Sequence, residues 1–335
     1  MSAPSTSLLD AEAPVVFFAN GIGDAVLALP ALRALAELYP RRLTLVSRRE
    51  SYTPILGGLP TKKEFFIGRG SKCNWHAEEI EHISAAIEFC DLFIALVPWK
   101  SDSLSYLIDR LRPSKTLGFF PAYDVAVPRD YGKHSAALNF DAVKAISPAC
   151  EMTDFLAPPS YGAKSVELAR EIRDSMGEDA RILAFHAETV PEKTWESAKL
   201  AALLDRFLSD HPEFLALQVA YKEAPPPLRV ESNRERVISC VGLPLMDAMC
   251  LVHHADYFLG IDSCMLHAAD FGRVPSVGLF GPTSAHEFGF LAGPHVAIQA
   301  ASAMSEIGVD SALAALESLL LDPEQRTTWQ LTELA

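Results

Sequence analysis

The apolar residues of this chain fall into short continuous runs separated by stretches of helical periodicity. Val15, Val16, Phe17, Phe18 and Ala19 form the first run, bounded by Asn20-Gly21. A run this short and this rich in β-formers predicts a strand buried on both faces. Ala25, Leu29, Leu32, Leu35 and Ala36 then recur at helical spacing as far as Pro40, which predicts a helix over 24–38. Leu43 to Val46 returns as a strand and completes one β-α-β unit. Further strand-like runs stand at 64–67, 91–97 and 115–119, and a helix is expected at 101–111, ending before Pro113.

Residues 147–162 contain Pro148, Pro158, Pro159 and Gly162 and form the best linker candidate. The alternation then restarts. Helices are expected at 164–176, 195–209, 245–254, 263–271 and 311–321, and strands at 181–186, 214–219, 257–261 and 276–280. Pro225, Pro226 and Pro227 mark a loop. Two successive rounds of alternation predict two doubly wound α/β domains, 1–160 and 161–335. Ligands of such folds bind beyond the carboxyl ends of the strands, here expected in the cleft between the domains.

Composition narrows the function classes. The chain has 335 residues, 49% hydrophobic and 21% charged, which is globular. A net charge of −14 argues against a general nucleic-acid binder. The charge is uneven, −2 over residues 1–160 and −12 over 161–335. The basic pairs Arg41-Arg42, Arg48-Arg49 and Lys62-Lys63 read either as solvated surface or as a place where an anionic acceptor or membrane headgroup meets the first half. The apolar runs fall short of the roughly 18 residues a membrane-spanning helix needs. The first residues lack the basic start and apolar stretch of a signal peptide and read as a short disordered leader. Six scattered cysteines without a C-x-x-C pair suggest a reducing cytoplasm, buried free thiols and no structural metal. His253-His254 reads as a surface or capping pair.

Three strand-to-helix passages carry candidate chemistry. In Asn20-Gly21-Ile22-Gly23-Asp24 the glycines allow a tight turn and a close approach to a ligand. A dinucleotide fingerprint needs a small residue at 26, where Val26 stands. Asp24 reads either as a helix N-cap or as a carboxylate facing the ligand. The second passage runs from Gly260 through Asp262, Ser263, Cys264 and Met265 to His267. Its helix start could bind an anion, or Asp262 could merely cap and His267 merely pack. The third runs from His186 through Glu188 and Thr189 to Lys193 and Trp195, where Lys193 is either surface or a phosphate partner. The absence of D-x-D speaks against a sugar-nucleotide site bridged by a metal on paired carboxylates. No P-loop, G-x-S-x-G or H-E-x-x-H occurs.

Together these segments resemble the ADP-heptose:lipopolysaccharide heptosyltransferases, glycosyltransferase family 9. Gly23-Asp24, Pro30 and Leu32-Arg33 resemble the family's G-D-x-L-x-x-x-P-x-L-R-x-L. The strand opening at Asp91 resembles the family's next strand. His186, Lys193 and Trp195 resemble H-x-x-x-x-x-x-K-x-W. Asp262, Ser263 and His267, followed by Phe280-Gly281-Pro282-Thr283, resemble D-[ST]-G-x-x-H and x-[FY]-G-P-T. The resemblance implies a GT-B fold, two Rossmann-like domains facing a central cleft, and inverting transfer from an ADP-sugar without an essential metal or other cofactor.

By position, the resemblance implies that Asp24 is the general base, with Gly21, Gly23 and Lys100 on the acceptor side. It places Thr189, Lys193, Asp262, Ser263, Cys264, Met265 and His267 around the donor diphosphate and sugar, Leu243 near the base and Glu223 at the ribose. The first domain would take the acceptor and the second the donor. Cys264 replaces a glycine of the pattern, Glu188 stands where a small or hydroxyl residue is common, and Ser284 replaces an acidic residue. These departures and the negative charge point to a soluble acceptor, such as an antibiotic or metabolite intermediate, and a cytoplasmic protein. The alternatives are a core-lipopolysaccharide heptosyltransferase at the inner membrane, an NADP-dependent oxidoreductase using Gly21, Gly23, Arg48 and Arg49, and a non-catalytic nucleotide-sugar binder.

Overall fold

The computed structural model describes residues 7–48, 53–68, 75–130, 132–220 and 228–331. The chain divides into two compact units, Met1–Leu156 and Ala157–Ala335. The first contains β1 (Pro14–Phe18), α1 (Ile22–Leu38), β2 (Thr44–Arg48), α2 (Thr53–Leu56), β3 (Lys63–Ile67), α3 (Ala77–Ile87), β4 (Leu92–Ala95), α4 (Asp102–Leu111), β5 (Lys115–Gly118), β6 (Val125–Ala126) and α5 (Ser135–Ile146). The second contains α6 (Ala163–Ser175), β7 (Arg181–His186), α7 (Ser197–Asp210), β8 (Phe214–Ala220), β9 (Val237–Val241), α8 (Leu245–His253), β10 (Tyr257–Ile261), α9 (Cys264–Phe271), β11 (Ser276–Phe280), α10 (Ala285–Phe288), β12 (His295–Gln299), α11 (Val309–Leu321) and β13 (Arg326–Gln330).

The first sheet has the order β3-β2-β1-β4-β5-β6 and the second β13-β12-β11-β10-β7-β8-β9. All the strand pairs described are parallel. Helices must therefore cover both faces, and the central strands become continuous apolar runs. Every residue of β1, β4, β10 and β11 is buried. The edge strands β3, β6, β9 and β13 are mostly exposed or half-buried. Strand order reverses between β1 and β4 and again between β7 and β10. Each reversal opens a crevice at the carboxyl ends of those strands, the usual binding position of a doubly wound sheet. This is the GT-B architecture of two Rossmann-like units.

Helix α1 is apolar around most of its circumference and runs through Pro30, so it is buried between the sheet and its neighbours. Its Arg33 Nη1 donates to Phe155 O at 3.2 Å, and Phe155 packs on Phe140 of α5. Helix α4 ends at Arg112, which adopts a left-handed conformation at φ 49° just before Pro113. In the second unit Trp195 is fully buried, and its indole N–H donates to Ile307 O at 3.2 Å. That anchor fixes the start of α7 and the 3-10 turn Pro191–Lys193 that precedes it.

The elements expected from periodicity all occur, with ends shifted by a few residues. Helices α3 and α5 and strands β6, β9, β12 and β13 lie in stretches where no element was expected. Cys150 and Cys240 are half-buried rather than buried, whereas Cys90, Cys250 and Cys264 are buried and all five are free thiols. His254 caps α8, with its ring Nδ1 donating to Cys250 O at 2.8 Å. Among the described residues no helix is long and apolar enough to cross a membrane.

Gly260 lies in β10 beside β7, where a Cβ would come 2.4 Å from the Phe258 ring and 3.2 Å from the His186 carbonyl oxygen. Gly260→Ala is therefore expected to destabilise the protein by about 1–3 kcal/mol through overpacking. A lower urea midpoint at unchanged slope is the measurement that checks it.

Candidate active site

In the first unit, the β1–α1 turn lies at the reversal of strand order. Gly21 is the N-cap of α1, and its N–H donates to Asp24 Oδ2 at 2.8 Å. Asp24 is thus not the N-cap. It stands at the third helical position and reaches back over the turn, the returning half of a capping box. Gly21 has an ordinary negative φ, so it is not there for backbone freedom. A Cβ on Gly21 would come 2.9 Å from Asp24 Oδ2, so the missing side chain leaves the carboxylate its place. Gly23 lies in the same first turn.

Across the reversal, the segment after β4 carries Trp99 and Lys100. The Trp99 indole N–H donates to Asn20 Oδ1 at 2.6 Å. Lys100 is exposed, and its Nζ stands 4.6 Å from the centroid of the Phe120 ring, a cation–π contact. It borders a pocket of about 220 Å³ with Leu104, Thr116 and Tyr123.

The second unit repeats the plan with different chemistry. His186 closes β7, and its Nδ1 donates to Val219 O of β8 at 2.8 Å. The chain then passes Glu188 and Thr189 into the 3-10 turn that holds Lys193. Lys193 Nζ donates to Asp262 Oδ2 at 2.5 Å, across the reversal between β7 and β10. The lysine side chain is 28% exposed and the aspartate 6%. Each was expected to face the ligand separately, but the structure joins them as an ion pair. Thr189 is half-buried beside this turn, its N–H directed to Thr194 Oγ1 at 3.4 Å.

Asp262 is followed by Ser263, the N-cap of α9. The Ser263 hydroxyl does not cap the helix. Ser263 Oγ, His267 Nδ1 and Thr283 Oγ1 are buried with no hydrogen-bond partner among the described residues. Buried polar atoms without partners cost free energy, and these three, just after β10, on α9 and just after β11, are groups that a polar ligand could satisfy. His267 Nε2 is 3.6 Å from Asp262 Oδ1, too long for a hydrogen bond. Burial, more than the opposing pull of Asp262 and the push of Lys193, lowers the His267 pKa to about 4. The ring is neutral at pH 7 and offers a polar N–H rather than a charge. Cys264 and Met265 are buried, Met265 completely, so Met265 presents backbone rather than side chain.

The expected base and ribose contacts divide. Leu243 is half-buried between β9 and α8, with its N–H donating to Ala220 O at 3.3 Å. Glu223 lies outside the described residues, as does Arg49. Glu188, Thr189, Trp195, Gln218 and Leu228 border a mainly apolar pocket of about 500 Å³ at the ends of β7 and β8. Sequence reasoning missed Gln299, the last residue of β12. Its Oε1 accepts from Ala285 N–H at 2.7 Å, while Nε2 is shared among Ala300 O, Gly281 O and Thr283 O at 2.9, 3.2 and 3.3 Å. This amide shapes the Gly281-Pro282-Thr283 loop. Only recognition of β12 could have pointed to it. Among the described residues no group of three or more His, Cys, Asp or Glu is placed to hold a metal.

The profile of glycosyltransferase family 9 (heptosyltransferase) matches residues 119–308. That is more than half of the chain, which therefore belongs to this family of glycosyltransferases. The match contains the whole second-unit site and leaves out the β1–α1 turn. The fold is similar to a glycosyl transferase family 9 protein of Veillonella parvula, at TM-score 0.76 and 19% identity over 94% of this chain and 98% of that one. It is also similar to the Escherichia coli heptosyltransferase WaaC with ADP, at TM-score 0.67 and 14% identity over 91% and 99% of the two chains. E. coli ADP-heptose lps heptosyltransferase II aligns at TM-score 0.64 and 15% identity over 93% and 99%. No curated protein matches the chain significantly.

The neutral His267 makes stability depend on pH. An unfolded histidine takes a proton near pH 6.5, whereas the folded ring resists until about pH 4. Its contribution is complete above pH 6.5 and is lost as the pH falls toward 4, on the order of 3 kcal/mol in all. Melting temperatures at pH 7 and pH 5 should differ more for the wild type than for His267→Gln. Equal drops in the two proteins contradict the assignment.

Proposed function

We propose that this glycosyltransferase moves a heptose or related sugar from an ADP-sugar to an acceptor hydroxyl, with inversion and without an essential metal. The second unit takes the donor and the first the acceptor, with a small soluble molecule as the acceptor. The observation that carries the reading is the set of unpartnered buried atoms on Ser263, His267 and Thr283, beside the Lys193–Asp262 pair at a strand-order reversal. Structures of E. coli WaaC with ADP and with ADP-2-deoxy-2-fluoro heptose support the choice of donor class.

In the reaction, the acceptor oxygen attacks the anomeric carbon as the bond from that carbon to the diphosphate oxygen breaks. The hydroxyl proton passes to Asp24 in concert, and ADP leaves with one more negative charge. Lys193 and the first-turn N–H groups of α9 stabilise that charge. Ser263, Thr283 and neutral His267 supply hydrogen bonds to the diphosphate and sugar. Asp262 holds the ammonium in place but also competes for it, so donor binding must draw Lys193 Nζ partly toward phosphate. Thr189, the backbone at Cys264 and Met265, Leu243 and Glu223 complete the donor contacts in this reading, and Gly21, Gly23 and Lys100 the acceptor side. The dinucleotide alternative is disfavoured by Val26, a fully buried residue of α1 at the position where a small residue would be needed.

ADP should raise the melting temperature in the presence of EDTA, and UDP, GDP and NADP⁺ should do so less. Stabilisation by NADP⁺ alone would overturn the reading. Lys193→Ala is expected to weaken ADP binding at least tenfold and to slow transfer by about a hundredfold. Unchanged affinity would make Lys193 a structural partner of Asp262 only. Asp24→Ala should bind ADP normally and lose most turnover, measured as ADP release in the presence of acceptor.

A further inference from the structure

We propose that Trp99 is a positioning residue for Asp24, acting through Asn20. The inference rests on the reading of Asp24 as the base. Phe17 and Ala95 are register partners in β1 and β4, and Leu96 N–H donates to Phe17 O at 2.9 Å. Asn20 lies three residues beyond this register and Trp99 four, so the two side chains meet over the reversal of strand order. An indole has one donor and no acceptor, so the 2.6 Å bond from Trp99 Nε1 fixes the Asn20 amide with its oxygen toward the ring.

The ring itself has little freedom. Trp99 stands edge-on to Phe17, with centroids 6.2 Å apart, and tilted against buried Trp75 at 5.9 Å. The peptide after Asn20 carries the Gly21 N–H, which Asp24 Oδ2 accepts at 2.8 Å. Anchoring the Asn20 side chain restricts the backbone torsions of Asn20, and freeing it lets the peptide plane that carries the Gly21 N–H swing away from the carboxylate more often. Two hydrogen bonds and one peptide plane thus connect a ring after β4 to a carboxylate in α1.

The test uses the full chain and the variants Trp99→Phe, Asn20→Ala and the two combined, with Tyr39→Phe, which loses a ring-borne donor at the far end of α1, as control. Trp99→Phe removes the donor and keeps a smaller ring in the aromatic cluster, and Asn20→Ala removes the acceptor and leaves the cluster whole. Amide exchange at Gly21, read by NMR, reports the turn without any acceptor. ADP release from ADP-heptose reports the reaction. Each single variant should speed Gly21 exchange about tenfold, as the loss of one neutral hydrogen bond allows. Each should also lower kcat for ADP release while leaving the donor KM unchanged. The double variant should be no worse than either single one, because both remove the same bond. Tyr39→Phe should match the wild type in both readouts.

Wild-type exchange at Gly21 in Trp99→Phe, additive effects in the double variant, or an equal effect of Tyr39→Phe each overturns the relay. If Asp24→Ala releases ADP at the wild-type rate, the base reading falls and the proposal falls with it, whatever the exchange shows.

Discussion

A parallel sheet forces every strand of a unit to end at the same edge, and the chain must then cross a face of the sheet to begin again. Where the crossings change direction, two neighbouring strand ends are left without a connection between them. In this protein a side-chain hydrogen bond spans each such gap. Trp99 meets Asn20 in the first unit, and Lys193 meets Asp262 in the second. The first contact is neutral and short-range. The second pairs charges of which one is nearly buried. The same topology thus gives a neutral polar turn in one unit and a charge-compensated crevice in the other.

The electrostatics of the second unit follow from that compensation. An isolated carboxylate as buried as Asp262 would be costly and would repel phosphate, and the ammonium at 2.5 Å removes both problems in the resting state. His267 contributes no charge because burial dominates over its acidic neighbour. What remains for a ligand is hydroxyl and imidazole N–H groups, helix amides, and a lysine that can divide its hydrogen bonds. Such a site discriminates by geometry and polarity more than by net charge. It also suits a chain whose second half is strongly acidic.

The central strands were legible because burial on both faces turns them into unbroken apolar runs, as in Val15–Phe18 and Tyr257–Ile261. Strand β13 was not, because its alternating exposure over Arg326–Gln330 mixes charged and polar residues with a single Trp329. Helix α3 was hidden by Glu78, Glu79 and Glu81, although Ile80, Ile83 and Ile87 line its buried face. Contacts within a turn could be anticipated, and Asp24 was singled out three residues from its partner. Its place as an N3 cap rather than an N-cap needed coordinates. Pairs separated by 69 or 79 residues, such as Lys193 with Asp262 and Asn20 with Trp99, leave no local trace.

Gln299 holds the loop after β11 almost entirely by its peptide groups, and the Ser284 side chain only caps the short helix that follows. A loop fixed through its main chain keeps its path whatever side chains it displays. Positions 282 and 284 are exposed on that loop. Mutational drift there can therefore alter what the loop offers to a sugar without unmaking its shape. Ser284, where the resemblance leads one to expect an acidic residue, is therefore a position the fold leaves free to vary.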